Sequence, residues 1–119
     1  MILWIGFAGV LGAVLRYSLG KWVSGLLGPA FPWGTWIINV SGSFLLGVLY
    51  GWHVSAMISD GIWVMWGTGF CGAYTTFSTF GYETLGLMGR QRYASAALYV
   101  VSSVLVGVLA AWAGVWLTA

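Results

Sequence analysis

Six formally charged side chains among 119 residues leave this chain few ways to fold. They are Arg16, Lys21, Asp60, Glu83, Arg90 and Arg92, and uncharged runs fill 22–59, 61–82 and 93–119. About 20 apolar residues in a helix cross a bilayer. Here 61% of residues are hydrophobic and 5% charged, whereas a soluble domain carries about 25% charged residues. The pattern predicts an all-α membrane protein embedded in a lipid bilayer. It excludes a water-soluble enzyme. It also excludes a nucleic-acid binder, since a net charge of +2 is too small and scattered to form a basic patch. Cys71 is the one cysteine, so no intrachain disulfide scaffold exists, and its apolar surroundings read as those of a small buried residue.

Spans are expected at 2–19, 34–52, 62–87 and 94–118, which makes 1–119 a single four-helix transmembrane domain with no room for an extramembrane one. The first run lacks a basic leader region and a convincing cleavage site, so it is expected to stay as a mature helix. Gly28, Pro29, Pro32 and Gly34 mark the first loop. His53, Ser55, Ser59, Asp60 and Gly61 mark the second, and Gly89, Arg90, Gln91 and Arg92 the third. Trp22, Trp33, Trp36, Trp52, Trp63 and Trp116 fall near span ends, as an interfacial aromatic belt does.

The 19 glycines are consistent with this reading, because small residues let helix backbones approach closely in lipid. Gly6, Gly9, Ala13, Arg16 and Gly20 lie along one face of the first helix. Asn39, Ser43, Gly47 and Gly51 form a stripe on the second, and Ser103, Gly107 and Ala111 on the fourth. These are expected contact faces against protein.

Polar residues at membrane depth are expensive and so become functional candidates. Arg16 shares the glycine face and either points into protein or water, or snorkels to the interface. Asn39 sits mid-span with an amide that donates and accepts, suited to an interhelical bond or a pore wall. His53 and Asp60 read as interfacial and solvated. The densest anomaly is the run 72–81, Gly-Ala-Tyr-Thr-Thr-Phe-Ser-Thr-Phe-Gly. Its hydroxyls, Thr75, Thr76, Ser78 and Thr79, compete for backbone hydrogen bonds. The reading is a third helix broken mid-membrane, with a kinked helix as the alternative. Irregular backbone at that depth belongs against protein or a cavity. Phe77 and Phe80 share a face at a spacing of three. Their rings are either packing or a pair of electropositive edges able to hold a desolvated anion. Ser95, Tyr99 and Ser103 give the fourth helix a polar track.

Three runs carry a resemblance: Gly12-Ala13-Val14-Leu15-Arg16-Tyr17; Gly34-Thr35-Trp36-Ile37-Ile38-Asn39-Val40-Ser41-Gly42-Ser43-Phe44; and Gly69 onward into Gly72 and the Thr-Thr-Phe-Ser-Thr-Phe of 75–80. In order and length the chain resembles the Fluc/CrcB family of bacterial fluoride channels. That resemblance implies an antiparallel, dual-topology dimer in the bacterial cytoplasmic (inner) membrane. Two pores would pass fluoride out of the cell passively and so limit its toxicity. It implies pore residues at Asn39, Phe77, Phe80, Tyr99 and Ser103. It implies a structural sodium ion at the dimer interface, held by the backbone carbonyls of Gly72 and Thr75. Arg16, Ser43, Thr76, Ser78, Thr79 and Glu83 are further pore or structural candidates. Gly107 replaces a hydroxyl found in some members, which shortens the track.

Two rivals differ in what they require. A small four-helix drug/proton antiporter needs a carboxylate in helix one, and residues 1–20 contain none. A non-transporting assembly subunit needs packing stripes but no polar mid-membrane run. An enzyme is not expected, since Glu83 lacks an evident catalytic partner. One conflict concerns topology. Lys21, Arg90 and Arg92 cluster on the side of loops one and three, with Arg16 nearby. The positive-inside rule therefore favours a single orientation and leaves a heterodimer with a homologous subunit open beside the homodimer.

Overall fold

The computed structural model describes residues 1–119 as an all-helical chain. Helix α1 (Ile2–Leu27) continues eight residues past the expected edge of its span at 19. Lys21 marks where a bilayer ends, but the backbone meets no helix breaker until Gly28, at φ 82°, and Pro29. Helices α2 (Trp33–Val54) and α6 (Tyr93–Thr118) match their expected spans to within two residues. By length and composition α1, α2 and α6 are each long and apolar enough to cross a membrane.

The third segment is composite. Short α3 (Asp60–Trp63) starts at Ser59, whose hydroxyl accepts from the Ile62 amide at 3.2 Å. A π-helical stretch (Val64–Cys71) and α4 (Gly72–Tyr74) follow. Thr75 and Thr76 are extended, with ψ of 155° and 119°. Helix α5 (Phe77–Gly89) then begins under a Thr76 side-chain cap, Oγ1 accepting from Thr79 N at 3.2 Å. The irregular backbone is thus far narrower than 72–81. Gly72 and Gly81 are themselves helical, so threonine capping chemistry, rather than glycine, sets the step. The π stretch has no signature in the hydropathy pattern.

The helices run up and down along a long axis of 48 Å, close to the 40–45 Å of a bilayer with its headgroups. Arg92 Nη1 donates to Ala30 O at 2.9 Å, which puts the first and third loops at one end. Ser55 Oγ donates to Thr118 O at 3.2 Å at the other. Only 19 of 119 residues are buried, while Ile2, Leu3 and Trp116 are at least 75% exposed. An outside this apolar suits lipid, not water.

Small residues make the contacts. Across the α2–α6 pair Gly47 lies on the Ala111 carbonyl, Gly51 on Thr118, and Gly107 faces Ser43, so the stripe on α2 meets the stripe on α6. On α1 the close approaches are Gly12 to the Phe70 carbonyl and Gly20 to Ile38. Gly6, expected in that face, borders open space.

Candidate functional site

The extended step at Thr75 and Thr76 gives up helical hydrogen bonds, and specific groups replace them. Thr75 Oγ1 donates to Cys71 O at 2.8 Å, beside the Thr75 amide on the same carbonyl at 2.9 Å. The Asn39 amide of α2 takes both backbone groups of Thr76: Oδ1 accepts from Thr76 N at 3.1 Å and Nδ2 donates to Thr76 O at 3.4 Å. A single side chain therefore stands in for a helical turn, leaving one Asn39 N–H uncommitted. Ser41 and Tyr74 share a hydroxyl bond of 2.8 Å that braces the same joint.

A cavity of about 300 Å³ opens against this joint, lined by Asn39, Ser43, Gly72, Thr75, Phe77 and Phe80 together with Gly42, Leu46, Gly67, Cys71 and Thr76. The structure thus brings seven of the sequence-selected residues to one concavity. Phe77 and Phe80 have ring centroids 6.2 Å apart at 47°. Phe77 is 86% exposed, while Phe80 packs on Tyr99 with centroids 4.9 Å apart. Tyr99 also meets the edge of Phe31 at 5.4 Å. Tyr99 is fully buried, and the hydroxyls of Tyr99 and Ser103 have no hydrogen-bond partner within the chain. Buried hydroxyls normally find partners; Thr35 and Glu83 are the polar neighbours of the Tyr99 hydroxyl, and the Ser103 hydroxyl is open to a ligand or water.

Other candidates stand elsewhere. Arg16 lines a separate cavity of about 310 Å³ with Thr35, Thr76 and Thr79, on the α1 side of the joint. Ser78 is exposed, 3.5 Å from Thr76 Oγ1. Glu83 accepts from Thr35 Oγ1 at 2.6 Å. Thr35 was not among the residues selected from sequence. It is buried one helical turn before Asn39 on the same face of α2, and that i, i+4 spacing was the available signal. Trp36, bonded through Nε1 to Ser102 Oγ at 3.0 Å, was read only as interfacial.

A family model described as "CrcB-like protein, Camphor Resistance (CrcB)" matches residues 3–115. This chain belongs to the CrcB-like family. Among CrcB-like relatives, a protein of Acidobacterium capsulatum named "Fluoride-specific ion channel FluC" is 45% identical over 113 residues, 94% of this chain and 90% of that one. A Rhizobium meliloti protein of the same name is 44% identical over 114 residues, 95% and 91% of the two chains. One from Leptospira interrogans, again so named, is 41% identical over 117 residues, 98% and 92%. The family resemblance read from the three sequence runs is thereby borne out.

Proposed function

We propose that this chain forms a fluoride-selective channel that lets cytoplasmic fluoride leave the cell passively and so lowers its toxicity. The observation that carries the proposal is the full-length similarity to relatives named fluoride-specific ion channels, which extends through the Asn39, Phe77 and Phe80 joint. The chemistry agrees. Fluoride is small and strongly hydrated, so a dry passage must replace water with close donors. The free Asn39 N–H, the Tyr99 and Ser103 hydroxyls and the phenylalanine edges are such donors. None carries a formal charge, which keeps binding weak enough for release. Fluoride efflux from liposomes holding the purified protein tests this. Rapid fluoride loss with chloride retained is the expected result, and equal loss of both halides refutes selectivity.

The working unit is an antiparallel dimer in the cytoplasmic membrane. Lipid against the polar cavity and the extended Thr75–Thr76 backbone would be costly, so a second subunit is their natural cover. Charge asymmetry between the two ends leaves a homologous partner subunit as the alternative to a second copy. A structural sodium ion fits the residues present. The Gly72 and Thr75 carbonyls accept no hydrogen bond in the chain, and hard oxygen donors suit a hard cation. Bound there, sodium supplies fixed positive charge beside the pores. Gly72 and Thr75 would hold it, while Asn39 keeps the step extended.

Phe77→Ile and Phe80→Ile preserve apolar bulk but remove the positive ring edge. Each is expected to lower fluoride flux about tenfold or more, roughly the loss of one good anion contact, while the purified species keeps its size. Undiminished flux in both variants would reduce the rings to packing.

A further inference from the structure

A third cavity, of about 550 Å³, lies at the end of the bundle that carries the first and third loops, between the end of α1 and α5. Ser24, Pro29, Phe31, Tyr82, Glu83 and Arg90 are among its lining residues. Two of them are charged and of opposite sign. Glu83 is half-buried, with one oxygen held inward by Thr35. Arg90 is exposed at the C-terminal end of α5. Its Nε donates to Gly86 O at 3.2 Å, laying the guanidinium along Gly86, another lining residue. Its remaining N–H groups bond nothing in the chain, and the single ion pair of the structure is His53 with Asp60. Arg92, two residues on, is committed to the Ala30 carbonyl and does not line the cavity.

We propose that Arg90 recruits anions to this cavity, offsetting the Glu83 carboxylate and raising the concentration of fluoride at this end of the bundle, where the lining residue Phe31 packs on Tyr99. The inference rests on the fluoride reading and extends it to a residue outside the narrow passage. An anion in the cavity meets a carboxylate that would repel it, and the free guanidinium face is the nearest cation lining the same space. In a wet cavity one unit charge at about 6 Å changes local anion concentration about threefold. The effect must be screened by salt, because the Debye length falls from about 30 Å at 10 mM to about 3 Å at 1 M. Water around the exposed guanidinium keeps it from trapping the ion. A purely structural Arg90 would only balance the C-terminal end of the α5 dipole.

Fluoride efflux is measured from neutral-lipid liposomes holding wild-type protein, Arg90→Gln or Arg90→Lys, at about 10 mM and about 500 mM of an impermeant salt. The expected result is an about threefold slower flux for Arg90→Gln at low salt, lost at high salt, with Arg90→Lys close to wild type. A deficit of equal size at both ionic strengths, a deficit shared by Arg90→Lys, or no deficit overturns the proposal. Absence of fluoride flux from the wild type overturns the channel reading itself, and this inference with it.

Discussion

Asn39→Ala is expected to lower fluoride flux about tenfold or more while leaving a folded protein of unchanged size. The asparagine side chain satisfies both backbone groups of Thr76, and alanine can satisfy neither. Each backbone group left without a partner costs about 1–3 kcal/mol when buried, with interhelical bonds in lipid averaging nearer about 0.6 kcal/mol. The sum is smaller than the roughly 5–15 kcal/mol that holds a domain together. It is large enough to shift a two-residue step, and about 1.4 kcal/mol on a barrier is already tenfold in rate. The variant also loses the one uncommitted amide N–H at the cavity wall. Efflux measured beside size-exclusion profiles separates the possibilities. Flux like that of the wild type would mean that Thr76 finds other partners. Loss of the folded species would make Asn39 a packing residue alone.

The sequence made some features legible and hid others, for physical reasons. Hydropathy reports burial in lipid, so the apolar runs located α1, α2 and α6 to within a few residues, apart from the far end of α1. There the charge at Lys21 reported the bilayer edge, not the end of the helix. Stripes of small residues announced the α2–α6 seam, because close backbone approach admits little else. The π stretch at Val64–Cys71 was invisible. It changes which carbonyl each amide meets, and hydropathy does not register that. The partners of polar residues were only half legible. Asn39 was a candidate from its depth alone, but its engagement with Thr76 depends on two elements 37 residues apart. Thr35 was missed because a threonine in an apolar helix usually bonds back to its own carbonyls. Here its hydroxyl donates to Glu83 instead. That bond answers why an acid tolerates the edge of the membrane without a basic partner. One short hydrogen bond from a neutral donor satisfies one of its oxygens, and the residue also lines the cavity shared with Arg90.

Gly47→Ala is expected to destabilise the folded protein and lower its yield, whereas Gly6→Ala is expected to be harmless. Both substitutions add one methyl group to a helical glycine, and both gain up to about 1 kcal/mol in helix propensity. They differ in what the methyl meets. At Gly6 nothing lies within 4 Å. At Gly47 the added carbon would strike the Ala111 carbonyl oxygen, with its carbon at 2.9 Å and the Ala111 Cα at 3.0 Å. These are backbone atoms, so no rotamer change relieves the clash and α2 and α6 must separate. The opposite side of the seam is as tight: a carbon added at Gly114 would lie 2.5 Å from Phe44 O and 2.7 Å from Val48 N. Overpacking a tight core costs about 1–3 kcal/mol even where side chains can yield. A backbone collision sits at or above the top of that range and exceeds the propensity gain. Separation would also loosen the Trp36–Ser102 and Thr118–Val48 bonds along the same seam. The two variants should be compared by monodisperse yield and by the denaturant needed to unfold them in detergent. Gly47→Ala is expected to lose about 2 kcal/mol or more net of the propensity gain, and Gly6→Ala to equal or slightly exceed the wild type. Equal stability of the two would mean that the α2–α6 seam can open without penalty, and that the glycine stripe is not what sets the spacing of these helices.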